Sequence, residues 1–477
     1  MQPVPTPLDQ FKNALQGDDV IARLRAGLIG EGAEIPGLDG PVRLVYADYV
    51  ASGRALRQVE DFIATHVLPY YANTHTEASW CGGYMTRLRK QARAEIARLT
   101  GAGDACAVIF AGSGATAGLN RLVTLLGIDE ARSPVVLVGP YEHHSNILPW
   151  RESRATVIEI PEADGGGPDM AALEAALRAH QGADLLIGSF SAASNVTGIV
   201  TDHAAVTRLL KRYGALSVWD YAGGGPYLDM DMGQGDEAKD AIVLSPHKFP
   251  GGPGASGLLV LRKSAVHRDR PCLPGGGTVS FVSPWTQDYA SDLATREEAG
   301  TPNVIGDIRA ALALLVKEAI GQEALDDREA ELNALALAAW RDHPQLTLLG
   351  CDRPQRLPIF SMLVRDRDGQ PVHQQLFTRM LSDLYGIQTR GGCACAGPYA
   401  HRLLQIDRRA SERLRAQLAQ GMELEKPGWV RLNFTALMSD ETARYIIDSV
   451  LDLLARLDEV MPRYTCDPAT ARFRAVA

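Results

Sequence analysis

The chain has few cysteines, few aromatic residues and no excess of positive charge, and these shortages exclude whole classes of protein. Seven cysteines in 477 residues are too few and too scattered for a disulfide framework, so we expect a reducing, cytoplasmic location. Acidic residues outnumber basic ones by 57 to 48, which argues against nucleic acid or an anionic membrane surface as the main partner.

Long hydrophobic runs are also missing. The N-terminal segment has neither the basic nor the apolar region of a secretory signal, and no apolar run approaches the roughly 18 residues of a membrane span. We therefore expect no membrane partner. Hydrophobic residues nevertheless make up 46% of the chain, which is enough for a large core. The length is compatible with two or three domains, or with one intertwined two-domain enzyme.

Short apolar runs alternate with helical patterns through the centre of the chain. The runs have no polar face, which is typical of parallel strands that are buried on both sides. Helical spacing between them is clearest over 117–126, 170–180 and 203–213. The alternation predicts an α/β fold with a mostly parallel sheet, whose ligand site lies beyond the carboxyl ends of the strands. The strands are predicted over 107–110, 135–138, 157–160, 185–190, 216–219, 241–244 and 257–261.

The pattern changes on both sides of this central region. Residues 1–16 contain three prolines and are predicted to be a loose arm. Two long helical tracts, over 307–320 and 323–342, lead into a smaller α+β section. We therefore predict three segments: an N-terminal arm and helix over 1–60 that join the small domain, a large domain over 61–310, and a small C-terminal domain over 311–477.

The most informative stretch is Leu244-Ser245-Pro246-His247-Lys248, which ends an apolar run and precedes a glycine-rich turn. A lysine that is shielded from water at a strand end can lose its proton and become a nucleophilic amine. Such an amine forms a Schiff base with pyridoxal phosphate (PLP), whose phosphate Ser245 and His247 could hold. A lysine after a strand is more often simply solvated, so the interpretation needs support from elsewhere in the chain.

Other strand ends supply that support. The turn Gly112-Ser113-Gly114-Ala115-Thr116 joins a strand to a helix, whose free amides attract phosphate, although an ordinary turn is the alternative. His143 and His144 follow the next strand, and one of the two could stack on a flat heterocycle and act in proton transfer. A surface pair or metal ligands are the alternatives, and no set of metal-binding partners is evident. Asp220 ends an apolar strand, and a protonated pyridine nitrogen would offset the cost of burying its carboxylate. Asn195 follows a further strand.

These motifs together resemble the class V aminotransferases and, within them, the cysteine desulfurases. The resemblance extends over residues 44–455 and implies a fold-type I PLP-dependent transferase. Such an enzyme has a large domain with a mostly parallel sheet flanked by helices, a smaller α+β domain, and a homodimer with active sites at the subunit interface. The segments that add to the resemblance are Glu142-His143-His144-Ser145-Asn146, Ser194-Asn195-Val196-Thr197-Gly198 and Glu298-Ala299-Gly300-Thr301-Pro302-Asn303.

The resemblance also implies a role for each site residue, with PLP as the cofactor and no metal. Lys248 would bind PLP as a Schiff base and shuttle a proton, Asp220 would bind the pyridine nitrogen, and His143 would stack on the ring and take part in catalysis. The phosphate would be held by Gly114, Ala115, Thr116, Ser245 and His247. A small amino-acid substrate would be bound by Asn195, Arg390 and Arg431.

The loop Arg390-Gly391-Gly392-Cys393-Ala394-Cys395 places Cys395 where desulfurases carry a nucleophilic cysteine. In the implied reaction the Cys395 thiolate attacks the sulfur of L-cysteine, leaving alanine and a persulfide that a sulfur-acceptor protein could receive. Two structural cysteines in a tight turn are the alternative. The chain also departs from the family pattern, because Gly223 stands where a donor to the cofactor is usual, and Cys393 where a histidine is common.

Three functions are compatible with these residues. The first is a cysteine desulfurase-like enzyme that acts through a Cys395 persulfide. The second is a class V aminotransferase or a C–S lyase that acts on another small amino acid, which a keto-acid product would reveal. The third is a PLP-binding protein without turnover that serves as a sulfur-transfer scaffold.

Overall fold

The computed structural model describes residues 5–74, 76–353 and 355–476, which divide into two compact units that alternate along the chain. The sequence analysis predicts consecutive segments instead. The units differ from these segments because stretches that are distant in sequence pack together within unit 2. Unit 1 consists of the residues up to Leu28, Ser52–Ala192 and Thr201–Gln322, and unit 2 consists of Ile29–Ala51, Ala193–Val200 and the residues from Glu323 onward.

Helices and strands alternate through the centre of the chain. The α-helices are α1 Pro7–Ala14, α2 Val20–Ala26, α3 Arg57–Phe62, α4 Trp80–Leu99, α5 Gly114–Leu125, α6 Leu148–Glu152, α7 Met170–Ala179, α8 His203–Arg212, α9 Leu293–Glu297, α10 Val304–Ile320, α11 Gln322–Trp340, α12 Gln374–Tyr385, α13 Gly397–Leu403, α14 Arg408–Ala419, α15 Asp440–Ala455 and α16 Leu457–Val460. The strands are β1 Glu34–Pro36, β2 Pro41–Arg43, β3 Val45–Tyr46, β4 Cys106–Gly112, β5 Pro134–Val138, β6 Thr156–Glu159, β7 Leu185–Ser191, β8 Leu216–Asp220, β9 Ala241–Leu244, β10 Gly257–Arg262, β11 Val279–Val282, β12 Gln287–Tyr289, β13 Leu346–Leu348, β14 Ile359–Arg365, β15 Pro371–Val372, β16 Ile387–Gln388, β17 Arg390–Gly392, β18 Trp429–Asn433, β19 Tyr464–Asp467 and β20 Arg472–Ala475.

Unit 1 is built on a seven-stranded sheet in the order β4-β10-β9-β8-β7-β5-β6. Strands β6, β5, β7, β8 and β9 pair in parallel, whereas β10 runs antiparallel to both of its neighbours, β4 and β9. Each of these strands lies where the sequence predicts one. The prediction of a mostly parallel sheet flanked by helices is therefore confirmed.

The apolar runs form buried strands because both of their faces are covered. Every residue of β5 and of β9 is buried. Helix α5 packs against the sheet through Leu119 and Leu122, and it approaches closely at Gly118, where a Cβ would lie 2.9 Å from Cγ1 of Val243. This close packing fixes the first turn of α5 relative to the end of β9.

The N-terminal residues 5–16 are not a loose arm, so that prediction is wrong. Helix α1 begins in a capping box, in which Thr6 Oγ1 accepts a hydrogen bond from the Asp9 amide at 3.2 Å and the Asp9 carboxylate accepts one from the Thr6 amide at 3.0 Å. Pro7 lies in the first turn, where a backbone N–H has no partner within the helix, so the N–H that proline lacks is not needed there. Leu8 and Phe11 are buried. Residues 1–4 lie outside the described residues.

Glu298 joins three parts of unit 1 through a buried ion network. Its carboxylate pairs with Arg89 at 2.5 Å and with Arg93 at 2.7 Å, and it accepts the Phe110 amide of β4 at 2.8 Å. Burial raises the pKa of Glu298, but the hydrogen bond and charge of Arg93 and the charge of Arg89 outweigh it, so the pKa lies below its usual range. Arg89 also pairs with Asp307 of α10 at 2.7 Å. The glutamate of segment 298–303 thus holds α4 against the sheet.

We expect Glu298→Gln to destabilise unit 1 by about 3 kcal/mol, because it leaves buried guanidinium groups short of a counter-charge. The control Glu318→Gln removes an exposed pair with Arg98 and should cost less than about 1 kcal/mol. Urea unfolding at pH 7 measures both. Because the folded-state pKa of Glu298 is lowered, its contribution is fully present above about pH 4.3 and is lost as the pH falls further. Equal midpoints for the two variants would contradict this role.

Unit 2 contains an antiparallel sheet in the order β13-β14-β18-β17, with β15 paired to β14. Strand β3 pairs in parallel with β16, which brings the segment around residues 45–46 into this unit. Segment 193–200 is held there by Ser361, whose hydroxyl donates to the carbonyl of Val196 at 2.6 Å. Among the helices that the structure describes, none is long and apolar enough to cross a bilayer.

Candidate active site

Asp220 and Lys248 lie at the carboxyl ends of neighbouring parallel strands in unit 1. Asp220 is the last residue of β8, and Lys248 lies in the 3-10 turn Pro246–Lys248 just after β9. Asp220 is only 3% exposed, and its Oδ1 accepts the Ala222 amide at 2.7 Å. Burial raises the pKa of Asp220, while the Ala222 amide and the charge of Lys248 oppose that shift. A buried carboxylate of this kind is suited to a cationic partner such as a protonated pyridine nitrogen.

His143 follows β5 in unit 1 and has a defined ring orientation. Its Nδ1 accepts the Ser145 amide at 3.1 Å and lies 3.0 Å from the Ser145 hydroxyl. Because Nδ1 accepts a hydrogen bond, the neutral ring carries its proton on Nε2. The half-buried imidazole therefore presents an N–H donor at Nε2.

A buried polar network stabilises the turn that carries His143. Burial raises the pKa of Glu142 to about 7, and its carboxylate accepts hydrogen bonds from the Ser191 amide at 2.8 Å, the Ser191 hydroxyl at 2.7 Å and the Asn146 side chain at 2.5 Å. Asn146 Oδ1 in turn accepts from Trp150 at 3.0 Å and from Ser189 at 2.6 Å. The network ties this turn to β7. The sequence analysis assigned no role to Glu142 or Asn146, although both belong to a segment that adds to the family resemblance.

The first turn of α5 forms a cradle with the β9 turn. The Ala115 amide donates to Ser245 Oγ at 2.9 Å. A Cβ added at Gly114, whose φ is +59°, would lie 3.0 Å from Ser245 Oγ and 3.2 Å from His247 Cε1. Burial and the nearby charge of Lys248 lower the pKa of His247 to about 4, so its ring is neutral at neutral pH.

This cradle fits a phosphate group. Helix α5 is twelve residues long, and the side chain of Ser113, the residue before it, does not cap it. The positive end of the helix dipole is therefore not neutralised by that side chain. Thr116 Oγ1 lies 2.7 Å from Ser145 Oγ, and Thr116 is exposed. Hydroxyl, amide and imidazole groups at a helix start are the donors that bind phosphate in proteins. The predicted cofactor residues of unit 1 thus lie in an arrangement that fits a phosphate group near the acid–amine pair of Asp220 and Lys248.

In unit 2, the structure brings the three predicted substrate residues together. Arg390 and Arg431 face each other on β17 and β18, and both pair with Asp48, at 3.0 Å from Arg390 and 2.9 Å from Arg431. Arg431 also donates to the carbonyl of Asn195 at 3.0 Å, and its side chain is 4% exposed against 50% for Arg390. The sequence analysis missed Asp48. Its only signal was an acidic residue after a short apolar run.

Cys395 lies in a strained turn that also belongs to unit 2. The Ala396 amide donates to the carbonyl of Cys393 at 3.1 Å, and the two residues between them, Ala394 and Cys395, have φ values of 52° and 55°. Left-handed backbone at two successive residues other than glycine is uncommon and is found mainly at functional sites. Asn195 Nδ2 donates to the Ala394 carbonyl at 2.9 Å and so supports the turn. Cys395 is exposed and Cys393 is half-buried.

Unit 1 has an α/β fold that places a lysine, a buried carboxylate and a hydrogen-bonded helix start at strand ends, an arrangement that fits PLP. The chain belongs to the class V aminotransferase family, whose sequence model matches residues 45–425. The expected fold class and cofactor are thereby confirmed.

Known relatives agree with this assignment. The chain is 26% identical over 360 residues to a probable cysteine desulfurase of Halalkalibacterium halodurans, covering 74% of this chain and 84% of that protein. It is 27% identical over 361 residues to a probable cysteine desulfurase of Staphylococcus epidermidis, covering 75% and 84%.

Solved structures show the same fold. The apo cysteine desulfurase of Thermococcus onnurineus superposes with a TM-score of 0.71 at 23% identity, covering 86% of this chain and 95% of that one. The cysteine desulfurase CsdA of Escherichia coli gives a TM-score of 0.68 at 23% identity, covering 92% and 98%.

Proposed function

We propose that this enzyme removes sulfur from L-cysteine and leaves alanine and a persulfide on Cys395. Its similarity to proteins named as probable cysteine desulfurases supports the proposal. The observation that carries it is the exposed Cys395 in a strained turn, supported by Asn195, whose own carbonyl binds Arg431. An exposed thiol on a turn of this kind can reach both a substrate and a sulfur-acceptor protein, the partner that we propose for the persulfide.

PLP, when bound, supplies an electron sink for cleavage at the substrate. Lys248 would hold the cofactor through Nζ and move a proton there. Asp220 would keep the proton on the ring nitrogen, because a buried carboxylate stabilises a nearby cation. His143 would stack on the ring and offer the proton on Nε2. The groups that would hold the phosphate are Gly114, Ala115, Thr116, Ser245 and His247.

In unit 2, Arg431 and Asn195 would bind and orient the amino-acid substrate, with Arg390 beside them. Asp48 and the Asn195 carbonyl each bind one arm of the Arg431 guanidinium, which fixes its plane. A fixed guanidinium can bind a carboxylate through two parallel hydrogen bonds.

We expect Arg431→Lys to raise KM for L-cysteine by about 10²-fold, because lysine lacks the planar fork and charge-assisted bonds contribute up to about 3 kcal/mol. The matched control is Arg390→Lys, which changes a half-exposed side chain bound to the same Asp48. It should raise KM only about threefold. Initial rates over a range of L-cysteine concentrations measure both. If the two variants raise KM equally, Arg431 has no special role in carboxylate binding.

Product analysis tests the proposed reaction. The PLP-loaded protein is incubated with L-cysteine and a thiol reductant, and alanine, sulfide, pyruvate and ammonia are quantified. We expect alanine and sulfide in equal amounts, with a loss of about 10²-fold in Cys395→Ser because the nucleophile is removed. Cys466→Ser, on β19, is the control and should match the parent. Pyruvate with ammonia would instead establish a C–S lyase, and amino-group transfer to a keto acid an aminotransferase.

We further propose a cytoplasmic homodimer. The hairpin of β11 and β12 exposes an apolar surface at Phe281, Val282 and Trp285, whose exposed fractions are 54%, 62% and 90%. Apolar residues clustered on one hairpin are typical of an interaction surface. Sedimentation equilibrium of the PLP-loaded protein measures the oligomeric state, and a monomer at micromolar concentration would contradict the dimer.

A further inference from the structure

We propose that Cys393 is a resolving thiol that attacks the persulfide on Cys395, releases its outer sulfur as hydrogen sulfide and closes a Cys393–Cys395 disulfide. The inference rests on the proposed function, because that reaction forms the persulfide. It assigns a chemical step to the second cysteine of the loop, which stands where the family pattern has a histidine.

The two cysteines lie one residue apart in the same turn. Cys393 accepts the Ala396 amide at 3.1 Å, so residues 393–396 form a closed turn. Ala394, between the cysteines, has a φ of 52°, which lies in the left-handed region. One such residue separates its neighbouring Cα atoms by about 5.4 Å, as in a helix. Natural disulfides join Cα atoms about 4.4–6.8 Å apart.

The backbone around the turn can adjust to the new bond. Gly392 precedes Cys393 with a φ of +128°, a conformation that side-chain-bearing residues rarely adopt, and nothing lies within 4 Å of the Cβ position that it lacks. A disulfide across one intervening residue is strained, and strained disulfides have higher reduction potentials. The closed form would therefore be reduced easily by cellular thiols, which suits a bond that must reopen before Cys395 can accept sulfur again.

The exposures of the two thiols fit different roles. Cys395 is exposed and would accept sulfur from the substrate, whereas Cys393 is half-buried at the end of β17. Asn195 donates a hydrogen bond to the carbonyl of the residue between them at 2.9 Å and so supports the turn that carries both cysteines.

The step balances without an external oxidant. The Cys393 thiolate attacks Sγ of Cys395, the bond between that Sγ and the outer sulfur breaks, and the outer sulfur leaves as HS⁻ with the bonding electrons. The two cysteines are oxidised to the disulfide and the outer sulfur is reduced to sulfide. The proton that Cys393 loses is balanced by the one that hydrogen sulfide gains. Two equivalents of a small thiol then reduce the disulfide and become a disulfide themselves.

A single-turnover experiment without a thiol reductant tests the inference. The PLP-loaded protein receives one equivalent of L-cysteine, is quenched with an alkylating agent, and is analysed by peptide mass spectrometry together with alanine and sulfide assays. We expect the parent peptide that contains both cysteines to be lighter by two hydrogens, with sulfide and alanine in equal amounts. In Cys393→Ser, Cys395 should retain one added sulfur, and the ratio of sulfide to alanine should fall at least about tenfold. Cys466→Ser is the control and should match the parent.

The possible failures are distinguishable. If the parent protein forms alanine but keeps the added sulfur on Cys395, the resolving step is overturned and the proposed function stands. If the added sulfur is on Cys393 instead, the resolving step is overturned and Cys395 is not shown to be the nucleophile. If the sulfide-to-alanine ratio is the same in Cys393→Ser and the parent, the step is likewise overturned. If the parent protein forms no alanine, the proposed function fails, and the resolving step fails with it.

Discussion

Lys248→Ala is expected to lower turnover by at least about 10⁴-fold, because one side chain would both hold the cofactor and move the proton. The turn around it should persist, since it depends on the backbone bond from the Lys248 amide to the Ser245 carbonyl at 2.9 Å. The cradle bond between the Ala115 amide and Ser245 Oγ does not involve Lys248 either. The variant should therefore fold and still bind PLP non-covalently. Turnover and the visible absorbance of the Schiff base, before and after borohydride reduction, measure the effect.

The chain offers a matched control in Lys263. It also lies in a 3-10 turn directly after a strand, β10, and its Nζ donates to the Asp104 carbonyl at 2.8 Å. Because β10 runs antiparallel to β9, the ends of the two strands lie at opposite edges of the sheet. Lys263→Ala should keep full turnover. A Lys248→Ala protein that retained Schiff-base absorbance and activity would contradict the assignment, because the covalent bond would then involve another amine.

Asp220→Asn is expected to lower kcat by about 10³-fold. The substitution keeps the shape of a side chain that is 3% exposed but removes its charge, and losing one partner of a buried ion pair costs about 4 kcal/mol. The loss should appear in kcat because the charge acts on the cofactor ring during the reaction. Steady-state kinetics with saturating PLP measures it, and the absorbance spectrum should show a change in protonation of the ring.

Asp240→Asn separates this effect from simple loss of a buried charge. Asp240 directly precedes β9, is 5% exposed, accepts the Ser217 amide at 2.7 Å and pairs with Lys211 at 2.5 Å. Its substitution should lower the urea midpoint but leave kcat within about twofold, because its contacts are structural. Equal losses of kcat in the two variants would mean that Asp220 acts only through stability.

The sequence predicts which polar residues lie at strand ends because their signals are local. An apolar run followed by a polar residue identifies a strand end, and parallel pairing then places Asp220 and the Lys248 turn at one edge of the sheet. Helix α1 was missed although its signal is also local. Its prolines were given more weight than the Thr6–Asp9 capping box, which is what starts the helix.

The contacts of unit 2 could not be derived from the sequence in the same way. Asp48 pairs with Arg431 across 383 positions, and it does so because β3 pairs with β16 and β17 pairs with β18. Segment 193–200 joins unit 2 through hydrogen bonds to residues far along the chain, among them Ser361, Ala394 and Arg431. Both depend on which strands pair over long distances, and a single sequence contains no periodicity that specifies such pairing.

The antiparallel direction of β10 restricts which amino acids the sequence can accept at the start of that strand. Its direction brings the start of the strand, Gly257, to the edge of the sheet where its parallel neighbours end. A Cβ there would lie 2.2 Å from the Gly114 carbonyl oxygen, within the first turn of α5. We therefore expect almost every substitution of Gly257 to destabilise the protein. The reason is steric, because glycine has no side chain that could contact a ligand. In a deep mutational scan, position 257 should accept fewer amino acids than most other positions of unit 1, although its residue has no chemical function.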